Sequence, residues 1–141
     1  MRSFLGDVLE DQADVTLIDM EAGLEHLSRS GGTLAYADVL LVVMEPSRKS
    51  IITAARTMTL AEELGIPRVY GLGNKAYSPD DVDFFRETAA AQGVPLAGII
   101  PYAAEVADAD RAGVAVVDLT PEAVRAEVDK VIGFLDGVMV A

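Results

Sequence analysis

Four short apolar runs with a β-branched bias punctuate the chain: Val15 to Asp19, Val39 to Met44, Arg68 to Leu72 and Leu96 to Pro101. Each is short enough to read as a strand rather than a helix. Between them lie segments of helical period. The clearest is Ser47 to Leu64, where Ile51, Ala54, Ala55, Met58, Ala61 and Leu64 recur at three- and four-residue steps. Gly65, with Pro67 two residues on, supplies the stop that helix C-termini favour. Ser78-Pro79-Asp80-Asp81 predicts a second helix start, with a capping hydroxyl, Pro at the first helical position and acids in the first turn; it stops near Gly93. A last helix begins at Thr120-Pro121-Glu122 and runs through Val124, Val128, Val131, Ile132 and Leu135. Strand followed by helix, repeated, predicts an α/β fold.

Hydrophobicity is continuous rather than alternating across Val39-Leu40-Leu41-Val42-Val43. A strand of that kind is expected to be covered on both faces, as in parallel sheets linked by helical crossovers. The expectation is an open, mainly parallel sheet of about four strands flanked by helices. Ligands of such sheets bind beyond the carboxyl ends of the strands. Those ends carry Asp19-Met20-Glu21-Ala22-Gly23, Glu45-Pro46-Ser47, Gly73-Asn74-Lys75 and Pro101-Tyr102.

Composition narrows the picture. The 141 residues hold 11 Lys and Arg against 23 Asp and Glu, a net charge of −12, with 51% hydrophobic residues and a mean hydropathy of +0.31. This suits one soluble acidic domain over residues 1–141, large enough to need no disulfide or structural metal. The chain has no cysteine, which excludes thiol chemistry and Cys-based metal sites within it. Its charge repels phosphate backbones and anionic lipid, so neither nucleic-acid binding nor direct membrane binding is expected. The longest apolar stretch, Val39 to Met44, is far short of the roughly 20 residues a membrane span needs. The first residues reach Asp7 without a signal-peptide core, and the chain reads as cytoplasmic.

The strand-end residues each have two readings. Asp19 with Gly23 suits a carboxylate that holds a Mg²⁺ water beside a backbone amide close to a terminal phosphate; alternatively Asp19 caps a helix and Gly23 relieves a turn. Asn74 either presents its amide to the edge of a base or occupies a left-handed turn position after Gly73. His26, the one histidine, has no Ser or Cys nucleophile paired with it by pattern, and reads as a packing or surface residue. Glu21, Glu25 and His26 suit a helix dipole better than a metal.

In their order, these signals resemble a known family. Val-Thr-Leu-Ile-Asp-Met-Glu-Ala-Gly-Leu-Glu-His-Leu-Ser-Arg (Val15 to Arg29), Ala-Asp-Val-Leu-Leu-Val-Val-Met-Glu-Pro-Ser (Ala37 to Ser47), Gly-Asn-Lys (Gly73 to Lys75) and Ile-Pro-Tyr (Ile100 to Tyr102) look like the second half of the MinD/ParA-type P-loop ATPases. Within that group the sequence resembles the CooC-type proteins, nickel-insertion accessory ATPases of carbon monoxide dehydrogenase, and Asp-Met-Glu-Ala-Gly-Leu-Glu-His is the most specific element. The resemblance covers about Phe4 to Leu135. It implies that Asp19 is the Walker B carboxylate, holding Mg²⁺ through water, and that Gly23 is the switch II glycine that senses the γ-phosphate. It further implies that Asn74 reads the adenine amino group beside Lys75, that Pro101 and Tyr102 wall the adenine pocket, and that Glu45-Pro46-Ser47 lies near a dimer face.

The departures from the family matter as much. Its members begin with a strand and a Gly-rich loop that cradles phosphates, and no G-x-x-x-x-G-K-S/T or deviant form occurs in this sequence. Gly31-Gly32 and Gly71-Leu72-Gly73 lack the Lys-Ser/Thr that must follow. The CooC-type Cys-x-Cys metal pair lies upstream of the matching region and has no counterpart here. The chain is therefore expected to be the C-terminal portion of a MinD/CooC-like ATPase, an incomplete P-loop NTPase (Rossmann-like) fold lacking the P-loop strand.

Two function classes follow. In one, the chain is the nucleotide-binding portion of a CooC-like ATPase in nickel insertion and metalloenzyme maturation. ATP or ADP and Mg²⁺ bind the complete protein, and weakly or not at all this chain alone; its partners are a second copy or the missing N-terminal half, and a metalloenzyme client. In the other, it is a degenerate, non-catalytic protein-interaction module. A small flavodoxin-like or response-regulator-like domain fits the alternation but explains neither Asp-Met-Glu-Ala-Gly nor Gly-Asn-Lys. In the family the P-loop strand lies between Val15 to Asp19 and Val39 to Met44. The two are thus expected to close up into a parallel pair at about 4.8 Å, in the order Asp19, Met44, Leu72, Ile100 strands, or to stand about twice that far apart.

Overall fold

The computed structural model describes residues 15–20, 37–115 and 121–140. Three strands, β1 (Leu40–Met44), β2 (Val69–Ala76) and β3 (Leu96–Pro101), alternate with α1 (Arg48–Glu63) and α2 (Pro79–Gln92), and are followed by α3 (Ala104–Ala112) and α4 (Glu122–Val140). Among the described residues the sheet runs β1-β2-β3, with both pairings parallel, so the open parallel α/β class expected from the pattern is what the chain adopts.

The helix boundaries follow from local chemistry. The Ser47 hydroxyl accepts from the Ser50 amide to open α1, and Gly65 at φ 83° turns the chain after Leu64. Ser78 caps α2 by accepting from the Asp81 amide, with Pro79 at the first position and Gly93 at φ 72° closing it. The last helix extends to Val140, beyond the expected Leu135.

Met44, Ile51 and Phe85, all fully buried, form the centre of the core between the sheet and the α1/α2 layer. Glycines in β2 make room for it. A Cβ on Gly73 would lie 3.2 Å from three Phe85 ring atoms, and one on Gly71 would lie 2.8 Å from the Met44 methyl. The opposite face is covered by α4. There Val131 seats against Gly98, where a Cβ would come within 2.6 Å of Cγ2, and Phe134 meets Tyr70 edge-on at 4.9 Å.

Two expectations are corrected. Val15 to Asp19 joins no ladder among the described residues, so the direct pairing with β1 is not made and the sheet has three strands there rather than four. Val15 and Leu17 are 63% and 90% exposed, while Met20 packs against the core. Apolar composition alone does not make a strand; it needs a neighbour that pairs with its amides and carbonyls, and among the described residues Val15 to Asp19 pairs with none. Nor is β1 covered on both faces by the described residues. Met44 is sealed under α1 and α2, yet Val43 on the other face is 60% exposed, because α4 packs on β3 at the far side of the sheet.

Candidate functional site

The carboxyl edge of the sheet gathers Glu45, Asn74, Lys75, Tyr77, Pro101 and Tyr102. Strand β2 continues past Leu72 to Ala76, so Asn74 and Lys75 lie in the strand rather than in a turn after it. The register against β3 explains how. Gly73 pairs with Ile99 and Ala76 with Pro101, so three steps on β2 face two on β3, a bulge that contains Asn74 and Lys75. Bulges re-aim side chains at the ends of sheets. The left-handed residue within it is Lys75, at φ 60°, not Asn74 as the turn reading of Gly-Asn would have it. A non-glycine side chain in that region is uncommon and carries a conformational cost.

Lys75 is tied across the edge. Its Nζ lies 3.1 Å from Glu45 Oε1, linking the bulge to the end of β1. The Glu45 amide donates to Ser50 Oγ at 2.9 Å, and the Ser50 amide to Ser47 Oγ at 3.1 Å, which fixes the β1 to α1 turn. On the other side the Tyr102 amide donates to the Ala76 carbonyl at 2.8 Å. That bond sets Gly-Asn-Lys beside Ile-Pro-Tyr, although 27 positions separate Asn74 from Pro101. Asn74 is half-buried, and its amide makes no hydrogen bond among the described residues.

The tyrosines that follow β2 and β3 meet. Tyr77 and Tyr102 stack with ring centroids 4.4 Å apart and planes 24° from parallel. The Tyr77 amide donates to Asp81 Oδ2 at 2.8 Å, which anchors the ring's backbone to the start of α2. A cleft of about 240 Å³ opens beside them, lined by Glu45, Pro46, Ser47, Lys75 and Tyr77. A larger open depression of about 370 Å³, lined by Met58, Glu62, Pro67, Arg68 and Pro95 among others, lies around the amino end of β2, away from these residues.

Of the residues expected at the site, the fold brings Asn74, Lys75, Pro101 and Tyr102 to one edge of the sheet, where Tyr77, which the sequence reading did not single out, joins them. The signal for Tyr77 was faint, since one aromatic just before a helix cap is ordinary. Asp19 is exposed and makes no described contact with this cluster. Gly23 lies outside the described residues, as do Glu21, Glu25 and His26. Among the described residues no group of His, Cys, Asp and Glu is placed to hold a metal ion, and no helix is long and apolar enough to cross a membrane.

Several known proteins are similar to this chain. The chain is 40% identical over 121 residues to the carbon monoxide dehydrogenase accessory protein CooC of Rhodospirillum rubrum, a match spanning 86% of this chain and 44% of that protein. It is 32% identical over 138 residues to an uncharacterized ATP-binding protein of Methanocaldococcus jannaschii, covering 96% of this chain and 51% of the relative. A second ATP-binding protein of that organism is 34% identical over 116 residues, covering 81% and 44%. The chain spans about half the length of these curated relatives. In structure it resembles a chain of the MinC:MinD cell division protein complex of Aquifex aeolicus, with a TM-score of 0.74 at 20% identity, covering 96% of this chain and 57% of that one. No family model matches.

By sequence the chain is similar to part of CooC and of ATP-binding proteins, and its fold is that of the MinD-containing complex. The similarity to CooC extends over rather less than half of the Rhodospirillum protein.

Proposed function

We propose that the chain is the nucleotide-binding portion of a CooC-like ATPase that serves nickel insertion and metalloenzyme maturation, with the phosphate-cradling loop supplied by the other half of such a protein. The observation that carries this reading is the junction of Gly73-Asn74-Lys75 with Ile100-Pro101-Tyr102 through the Tyr102 to Ala76 hydrogen bond. It sets a half-buried side-chain amide, unpartnered among the described residues, beside a proline, at the sheet edge where open α/β folds hold their ligands. Relatives over most of the chain are described as ATP-binding.

In this reading Asn74 accepts from and donates to the adenine edge, and Pro101 and Tyr102 bound the base. Asp19 holds the Mg²⁺ water and Gly23 meets the γ-phosphate once the Gly-rich loop is in place. The edge of β1 that no described residue pairs with, and the exposed Val43, support a larger assembled fold, because an apolar strand edge invites pairing. The fully assembled protein acts as a dimer or on a metalloenzyme client. One feature favours a second reading, a non-catalytic interaction module: the sequence carries no P-loop motif.

Calorimetric titration of ATP with Mg²⁺ into the purified chain, alone and mixed with the P-loop half of a CooC-type protein, separates the two. Saturable binding that tightens in the mixture and weakens with Asn74→Ala supports the ATPase reading. Absence of binding in both samples favours the module.

A further inference from the structure

The depression around the amino end of β2 lies away from Asn74 and Tyr102 and takes no part in the nucleotide reading. We propose that it binds a small α-amino acid with an apolar side chain, held as a zwitterion between Arg68 and Glu62.

Arg68 is the distinctive residue of this cavity. Among the described Lys and Arg residues it alone is half-buried, the others being exposed. Its guanidinium has no hydrogen-bond or ion-pair partner among the described residues. Taking a charge out of water is costly unless it is paired, and the planar fork of a guanidinium matches a carboxylate with two parallel hydrogen bonds. Glu62, in the last turn of α1, lines the same cavity, is exposed, and forms no ion pair with Arg68. Opposite charges that share a cavity without neutralising each other suit a ligand that carries both, a carboxylate for Arg68 and an ammonium for Glu62. A phosphate dianion would meet one cation and one carboxylate there, on a chain of net charge −12, and is disfavoured.

The rest of the lining is apolar and fixed. Met58, Ile66 and Val69 contribute buried side chains, Pro67 and Pro95 contribute rings and no backbone donor, and Tyr70 is held edge-on by Phe134 at 4.9 Å. The two loops that carry the cavity are tied to the sheet. The Arg68 carbonyl accepts from the Leu40 amide at 2.9 Å, and the Pro95 carbonyl from the Gly71 amide at 2.7 Å. Walls held in this way lose little freedom when a ligand arrives. The cavity measures about 370 Å³, inside the roughly 300–1,000 Å³ of small-molecule sites, and a few charged groups set among apolar walls are what such sites use to orient a ligand. None of these residues serves the nucleotide reading, so the two stand or fall separately.

The test is amide-resolved NMR of the full chain titrated with L-leucine, with isocaproate, which lacks the ammonium, and with isoamylamine, which lacks the carboxylate. Arg68→Gln, Arg68→Ala and Glu62→Gln are titrated alongside, and far-UV circular dichroism verifies that each keeps the fold. L-leucine is expected to give saturable shifts at Arg68, Tyr70 and Gly93, and both analogues to bind about ten-fold more weakly or worse, as loss of a charged hydrogen bond entails. Each Arg68 variant should weaken leucine by a similar factor, and Glu62→Gln should weaken leucine while leaving isocaproate no weaker. The absence of any saturable shift with L-leucine overturns the proposal. Leucine binding that survives both Arg68 changes overturns it too, as does isocaproate that binds as tightly as leucine, since Glu62 then holds no ammonium. Should an Arg68 variant unfold, the comparison of the three ligands on the wild-type chain decides.

Discussion

Lys75 Nζ sits 3.1 Å from Glu45 Oε1, joining the left-handed residue of the β2 bulge to the residue that follows β1. The pair is half-exposed on both sides, so its own contribution is small, about 0–1 kcal/mol. Its consequence is positional. It ties the bulge to the β1 to α1 turn, beside the cleft that both residues line.

The left-handed backbone at Lys75 predicts an order of stabilities. Lys75→Gly removes a conformational cost of roughly 1 kcal/mol while losing the ion pair, so it unfolds in urea no earlier than wild type. Lys75→Val, β-branched in the same conformation, loses about 1–3 kcal/mol. Equal midpoints for the two variants would show that the bulge does not hold Lys75 at positive φ.

Gly98 governs the docking of α4. A Cβ there meets Val131 Cγ2 at 2.6 Å, and over-packing of this sort costs about 1–3 kcal/mol. Gly98→Ala is expected to lower stability by that amount. Combined with Val131→Ala, it should cost less than the sum of the two single changes, a coupling that a double-mutant cycle in denaturant reads directly.

Local chemistry made the helices legible. Ser47 and Gly65, then Ser78 and Gly93, mark ends that the structure keeps to within a residue. The length of β2 was not legible, because Gly71 and Gly73 weaken strand propensity, and what favours them is the bulk of Met44 and Phe85, far away in sequence. Helix α3 gave no warning either. Ala103 opens it without a side-chain cap, and Ala109 is its one buried residue, so neither cap nor apolar period stands out. At the site, Asn74, Lys75, Pro101 and Tyr102 were readable from motif order, but the bulge that carries the first two depends on register with β3. Val15 to Asp19 reads as a strand because strand composition is local while strand pairing is not.

Ser78 links fold to site. Its hydroxyl accepts from the Asp81 amide, and Asp81 in turn holds the Tyr77 amide. Ser78→Ala is expected to cost about 0.5–2 kcal/mol of stability, the range for a lost helix cap. Asp81→Ala should also alter the near-ultraviolet circular dichroism of the tyrosines, because it frees the backbone of one ring of the stack. An unchanged tyrosine signal would mean that the stack holds without that anchor.

The central claim, that this chain carries the base-side and switch residues of an ATPase whose phosphate cradle comes from elsewhere, is tested most directly by phosphate release. Phosphoryl transfer depends on positioning and charge stabilisation, and the sequence holds no Gly-rich lysine loop to supply them. The chain alone should release phosphate from ATP and Mg²⁺ no faster than buffer. Mixed with the P-loop half of a CooC-type protein, it should turn ATP over, and Asp19→Ala should abolish that turnover. Metal-dependent hydrolysis by the chain alone that disappears with Asp19→Ala, or a mixture no more active than buffer, would contradict the account.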